Sequence, residues 1–140
     1  MRQRGFSAVE LLVTLSLFSI LALIGAPSIV RTFGQLRAAE EARRCALMLI
    51  SARDEAVRLR TEVRVGLTST GLDIDIHADD SVEQSLQFNP GSVWESSPTV
   101  EIIFNGLGLA RGISDNVTLA ITNRGARSSL TINQNGTVKL

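Results

Sequence analysis

Residues 4–30 read RGFSAVELLVTLSLFSILALIGAPSIV, and this stretch decides how the rest of the chain must be arranged. No charged residue occurs between Leu11 and Val30, where Leu, Ile, Val, Ala and Phe dominate. A bilayer core about 30 Å thick is crossed by ~20 mostly apolar helical residues, so the run is long enough to span. Ahead of it lie Arg2, Arg4 and the N-terminal amine, which favour a cytoplasmic N-terminus, and Arg31 marks the far boundary. Glu10 is out of place in this setting. A carboxylate within a membrane segment costs ~2.5–3.5 kcal/mol on insertion scales and marks a functional residue by default.

Two simpler readings account for less. A secretory signal would be cut after its apolar core, near Gly25-Ala26-Pro27, yet this run is longer than a usual signal core and contains Glu10. A plain signal anchor explains the length and the leader charges but leaves Glu10 without a role. A short basic leader ending in Gly5, then Phe6, then Glu10 and an apolar helix resembles the N-terminus of type IV pilins and pseudopilins. Ser7 and Ala8 stand where Thr and Leu are commoner in that motif.

The resemblance implies that a prepilin peptidase cuts between Gly5 and Phe6 on the cytoplasmic side and that Phe6 is N-methylated. It implies that Glu10 faces the N-terminal amine of a neighbouring subunit during filament assembly. Opposite charges ~4 Å apart attract far more strongly in low dielectric than in water, so such a pair can offset the burial of both. The implied partners are other pilins or pseudopilins, the peptidase, an inner-membrane assembly platform and membrane lipid. Pro27, after Gly25-Ala26, would end a helix in water. In a membrane helix it is tolerated as a kink, and the resembling helices carry a proline at a comparable place. The expected organisation is a leader over residues 1–5, a transmembrane and assembly helix over 6–30, an amphipathic half-helix over 31–60 and a periplasmic β-rich head over 61–140. This makes the chain a single-pass inner-membrane protein.

From Arg31 to about Arg60 the pattern becomes amphipathic. Ala42, Cys45, Ala46, Leu49, Ala56 and Leu59 recur at three- and four-residue spacing and predict one apolar helix face. Glu40–Arg44 and Asp54–Arg58 are the expected i,i+4 ion pairs, each worth ~0.3–0.5 kcal/mol. Cys45 is the lone cysteine, which excludes an intrachain disulfide and reads as a small buried helix residue. Only 4% of the chain is aromatic, so the head must build its core from Val, Ile and Leu.

Beyond Thr61 the period drops to two. Val63, Val65 and Leu67, the turn Ser69-Thr70-Gly71, then Leu72, Ile74 and Ile76 predict a β-hairpin. Residues 78–83 read as a loop, Ser85 to Phe88 as a short strand and Asn89-Pro90-Gly91 as a strong turn. Val100 to Phe104 is the next strand. Val117 to Thr122 and Ser129 to Asn133 flank Asn123-Arg124-Gly125-Ala126 as a second hairpin, and Asn135-Gly136 turns into Thr137 to Leu140. A helix followed by strands on short turns is an α+β pattern with antiparallel sheet. The strand rhythm resembles the GspH/FimT branch of pseudopilins and minor pilins, including the FNGLGLARG stretch at Phe104 to Gly112 and the closing NGTVKL.

Chemistry is sparse. There is no phosphate loop, HExxH or CxxC, and the single histidine, His77, has no nucleophile to serve. Asp73, Asp75, Asp79 and Asp80 offer oxygens of the kind calcium takes, but alternation on a strand face and a turn suits solvated acids as well. No metal, cofactor or catalytic residue is expected. Equal numbers of basic and acidic residues, fourteen of each, give no global field for nucleic acid. Some minor pilins of this branch take up DNA through a Gly-Arg-x-Arg tail. The matching Gly136-Thr137-Val138-Lys139 retains one charge, with Arg124 and Arg127 as partial substitutes for phosphate contact. The expectation is a non-enzymatic pseudopilin of a type II secretion system, with a DNA-binding type IV minor pilin as the alternative.

Overall fold

The computed structural model describes residues 7–76, 83–95, 101–113 and 115–140. One helix, α1 (Ala8–Leu59), runs through both the apolar stretch and the amphipathic one. Ser7 caps its start: the Ser7 Oγ accepts from the Val9 N–H at 3.3 Å and the Ser7 carbonyl from the Leu11 N–H at 3.1 Å. Its end is a Schellman closure, with the Thr61 N–H donating to the Ala56 carbonyl at 3.2 Å. Arg60 takes the left-handed position there, at φ 53°, where glycine is the usual occupant.

The chain divides after Phe33 into two units. In the first, none of the described residues is buried. Four of its hydroxyls are spent inside the helix: Thr14 donates to the Leu11 carbonyl at 2.9 Å, Ser16 to Leu12 and Ser19 to Leu15 at 2.8 Å, and Thr32 to Ser28 at 3.0 Å. Backbone and hydroxyl groups satisfied within one segment are what a hydrocarbon environment requires. Pro27 lies within the helix, which continues on both sides of it; having no N–H, it leaves the Leu23 carbonyl without its helical donor.

The second unit, Gly34–Leu140, holds the core. From α1 it buries Gly34, Ala38, Glu41, Ala42, Cys45, Ala46, Leu49, Ala52 and Ala56. Most of these are small, so the helix can approach the sheets closely. Two antiparallel sheets complete the unit. The first has the order β3-β2-β1-β5-β6, from β1 (Val63–Thr68), β2 (Gly71–Asp75), β3 (Gln84–Gln87), β5 (Ile102–Phe104) and β6 (Ala110–Arg111). The second has the order β4-β7-β8-β9, from β4 (Ser92–Trp94), β7 (Val117–Asn123), β8 (Ala126–Ile132) and β9 (Val138–Lys139). Val63, Val65, Leu72, Ile74, Ile102 and Phe104 of the first sheet join Leu119, Ile121, Leu130 and Ile132 of the second in one apolar cluster.

Two polar links tie the sheets together. The Trp94 indole donates to the Thr68 carbonyl at 2.9 Å and the Gly71 carbonyl at 3.2 Å, while its ring meets Phe88 edge-on at 4.9 Å. The Ala110 N–H donates to the Gln134 carbonyl at 3.0 Å. The Arg53 guanidinium donates from Nε to the Gly108 carbonyl at 3.0 Å, fastening α1 to the same corner. Gly136 is required there: its φ is 72°, and a Cβ would fall 2.1 Å from the Gly108 carbonyl oxygen.

Several expectations are corrected. The strands β4 and β6 were not anticipated, and the sheet is two sheets. β8 begins at Ala126, so the turn is the two-residue Arg124-Gly125 pair at φ 50° and 79°, a type I′ geometry. The ion pairs are i,i+3, not i,i+4: Arg44 meets Glu41 and Arg58 meets Glu55. Glu41 faces inward and is held there, which draws Arg44 to it, and the Glu55 carboxyl is pulled below its usual range by its hydrogen bonds to Arg58. Leu59, expected on the apolar face, is 42% exposed because the helix unwinds immediately after it.

Candidate functional site

Glu10 lies in the first turn of α1, three residues after the capping Ser7, and is exposed. A carboxylate there meets the positive end of the helix dipole. Among the described residues it has no side-chain partner. Gly5 and Phe6, the expected cleavage and methylation positions, lie outside the described residues. So do His77, Asp79 and Asp80. Asp73 and Asp75 sit half-exposed on β2, and no metal-holding group of three acids, histidines or cysteines occurs among the described residues.

In the head unit the outward side of α1 carries a second stripe. Leu36, Glu40, Arg43, Leu47, Ile50, Asp54 and Val57 alternate at four- and three-residue steps opposite the buried face, and all seven are exposed. Leu36 and Leu47 are 61% and 59% exposed. Among the described residues nothing packs over this face.

Sequence reasoning missed the buried carboxylate of Glu41. It is fully enclosed, and its Oε1 accepts from the Asn89 N–H at 3.0 Å and from Asn89 Nδ2 at 2.5 Å. Arg44 donates to both carboxylate oxygens at 3.1 and 3.2 Å. The carboxylate thereby fixes the Asn89-Pro90-Gly91 turn to the helix. The signal was its spacing: Glu41 lies three residues after Ala38 and four before Cys45, on the apolar face. Beside it the Cys45 thiol is pushed up to about 12, first by burial and then by the Glu41 charge, with Arg44 opposing. It is inert rather than nucleophilic.

The three basic residues weighed for phosphate contact do not form one patch. Arg124 sits at the exposed tip of the β7–β8 turn. Arg127 is paired to Glu95 at 2.8 Å. Lys139 pairs with Thr131 at the opposite end of β8. An open depression bounded by Val57, Arg60, Asn105, Gly106 and Leu107 contains no nucleophile or carboxylate.

Comparison with known proteins agrees with this arrangement. The model of the family described as type II transport protein GspH matches residues 41–136, and that of the prokaryotic N-terminal methylation motif matches residues 1–26. Among solved structures, the type IV minor pilin FimU of Pseudomonas aeruginosa is similar at 24% identity. The match covers 74% of this chain and 87% of FimU, with a TM-score of 0.59. The minor pseudopilin EpsH of the Vibrio cholerae type 2 secretion system is similar at 18% identity over 74% of this chain and 95% of EpsH, with a TM-score of 0.56. These likenesses establish a shared pilin-like fold. Among curated protein sequences none is significantly similar. The GspH match runs from Glu41 on α1 to Gly136, just short of β9: the chain belongs to the GspH family of pilin-like structural subunits and carries the N-terminal methylation motif of that class.

Proposed function

We propose that this chain is a minor pseudopilin of a type II secretion system, held in the inner membrane by residues 6–30 with the head in the periplasm. The observation that carries this reading is the GspH match over the head, residues 41–136, rather than over the N-terminal motif alone. In this reading the peptidase cuts after Gly5, Phe6 is methylated, and Glu10 pairs with the N-terminal amine of an adjacent subunit. A carboxylate and an amine that each enter hydrocarbon unpaired cost several kcal/mol, and entering together they offset one another. The exposed Leu36–Val57 stripe supports an assembling subunit, since Leu36, Leu47, Ile50 and Val57, interspersed with Glu40, Arg43 and Asp54, leave a mixed apolar and charged face for a neighbour. Pro27 would let the membrane half bend where the Leu23 carbonyl has lost its donor.

The second reading is a type IV pilus minor pilin, supported by the fold shared with FimU. Uptake of DNA gains little support, because Arg127 is engaged by Glu95 and Lys139 stands apart. Deletion of the gene in its host separates the two. Loss of exported proteins from the medium with surface pili intact supports secretion; loss of pili with export intact overturns it.

A further inference from the structure

The foot of the head carries two arginines that the functions above do not use. Gly34, the first residue of the head unit, packs against the β7–β8 turn. A Cβ there would lie 3.0 Å from the Asn123 carbonyl oxygen, 3.4 Å from the Ala126 Cβ and 3.7 Å from the Arg124 Cβ. Arg124 is therefore beside Gly34, and Arg37 stands one helical turn beyond it on α1; both are exposed. Neither has an ion-pair partner among the described residues. Of the carboxylates on these elements, Glu41 is taken up by Asn89 and Arg44 and Glu95 by Arg127, while Glu40, three residues from Arg37, is exposed and makes no ion pair with it.

Arg124 is also held against its own preference. At φ 50° it occupies the left-handed first position of the turn, where asparagine, aspartate or glycine is favoured. The Gly125 tip beside it faces open space. Chain connectivity alone keeps Gly34 close to the apolar run. Gly34 is four residues past Val30, the last of the apolar run, so even a fully extended link spans at most ~14 Å. The headgroup layer itself adds ~5–7 Å on each side of the hydrocarbon.

We propose that Arg37 and Arg124 form a surface that binds the phosphate headgroups of anionic phospholipid, setting the foot of the head on the membrane. The proposal rests on the membrane-anchored reading. Arginine suits this role because its planar fork pairs two oxygens of a phosphate at once.

The test uses the full chain in detergent micelles doped with equal amounts of phosphatidylglycerol and phosphatidylcholine, with retained lipid counted by native mass spectrometry. Phosphatidylglycerol should be retained preferentially. Arg37→Gln and Arg124→Asn should each lower the preference about fivefold, and together about 25-fold. Asparagine adopts the left-handed turn position readily, so Arg124→Asn leaves the hairpin intact. Arg60→Gln removes an equal charge at the far end of α1 and should leave the ratio unchanged. No preference in the parent, or an equal loss with Arg60→Gln, overturns the proposal. So does a pair of variants that lose binding to a short DNA duplex while keeping the lipid ratio. A chain that stays in water without detergent overturns the anchored reading together with this one; an inserted chain without lipid preference overturns this one alone.

Discussion

Replacing Glu41 by alanine should be among the most damaging single changes in the head. The side chain is fully enclosed and its Oε1 takes two donors from Asn89, the backbone N–H at 3.0 Å and Nδ2 at 2.5 Å. Hydrogen bonds to a charged group contribute ~1.5–3 kcal/mol each, and both would be lost, while the exposed Asn89 could turn its donors to water only by releasing the turn from the helix. Arg44 adds less, because its side chain is 39% exposed and solvent screens the pair. The expected loss is about 3–5 kcal/mol, a large share of the ~5–15 kcal/mol that holds an ordinary domain. For a domain of this size it corresponds to a melting temperature lower by roughly 15–25 °C. The assay is thermal and urea unfolding of residues 31–140, followed by circular dichroism, for the parent, Glu41→Ala, Glu41→Gln and Arg44→Ala. Glutamine keeps one acceptor for the Asn89 N–H and should cost about 1–2 kcal/mol; Arg44→Ala should cost under about 1 kcal/mol. If Glu41→Ala costs less than about 1 kcal/mol, the carboxylate does not fix the turn and the reasoning fails.

The same fragment should fold as a soluble monomer with mixed helix and strand signals and one cooperative melt; a purely helical spectrum would contradict both sheets. Cys45 should resist a thiol reagent at pH 8 in the folded head and react at once in denaturant; fast reaction of the folded form would show that it is not enclosed. Its raised value, about 12 against 9.0 for an ordinary thiol, adds a pH dependence. Folding favours the neutral thiol, so this contribution is intact below pH 9 and is lost as pH rises from 9 towards 12, where a Cys45→Ala head should lose less stability than the parent. Gly136→Ala should destabilise the head by about 2 kcal/mol or more, since a Cβ would collide with the Gly108 carbonyl, and its urea midpoint checks this. Glu10→Ala and Glu10→Gln should both insert and be processed yet fail to crosslink to neighbouring subunits in membranes. If glutamine assembles like the parent, capping of the first turn and not charge is what the position supplies.

The long helix was legible because its signals are redundant: twenty uncharged residues, then an alanine-rich stripe at helical spacing with no glycine or proline between Gln35 and Arg60. The hairpins were legible where turn residues interrupt the alternation, as at Ser69-Thr70 and Arg124-Gly125, although Gly71, expected in the first turn, opens β2 instead. What sequence could not show was which strands share a sheet. Trp94 and Ala110 join the two sheets through carbonyls of Thr68, Gly71 and Gln134, and main-chain acceptors leave no trace in residue identity. β4 and β6, at three and two residues, are too short for alternation to register. Glu41 was misjudged for a physical reason. Local helix rules select Glu40 as the partner of Arg44, whereas the donors that select Glu41 come from Asn89, 48 residues away.

The measurement that tests the central claim most directly is the intact mass of the protein extracted from membranes of a host that contains the prepilin peptidase. The account predicts a chain that begins at N-methylated Phe6 and retains the apolar helix through Leu140. A full-length chain starting at Met1, or one starting near Pro27, would contradict it.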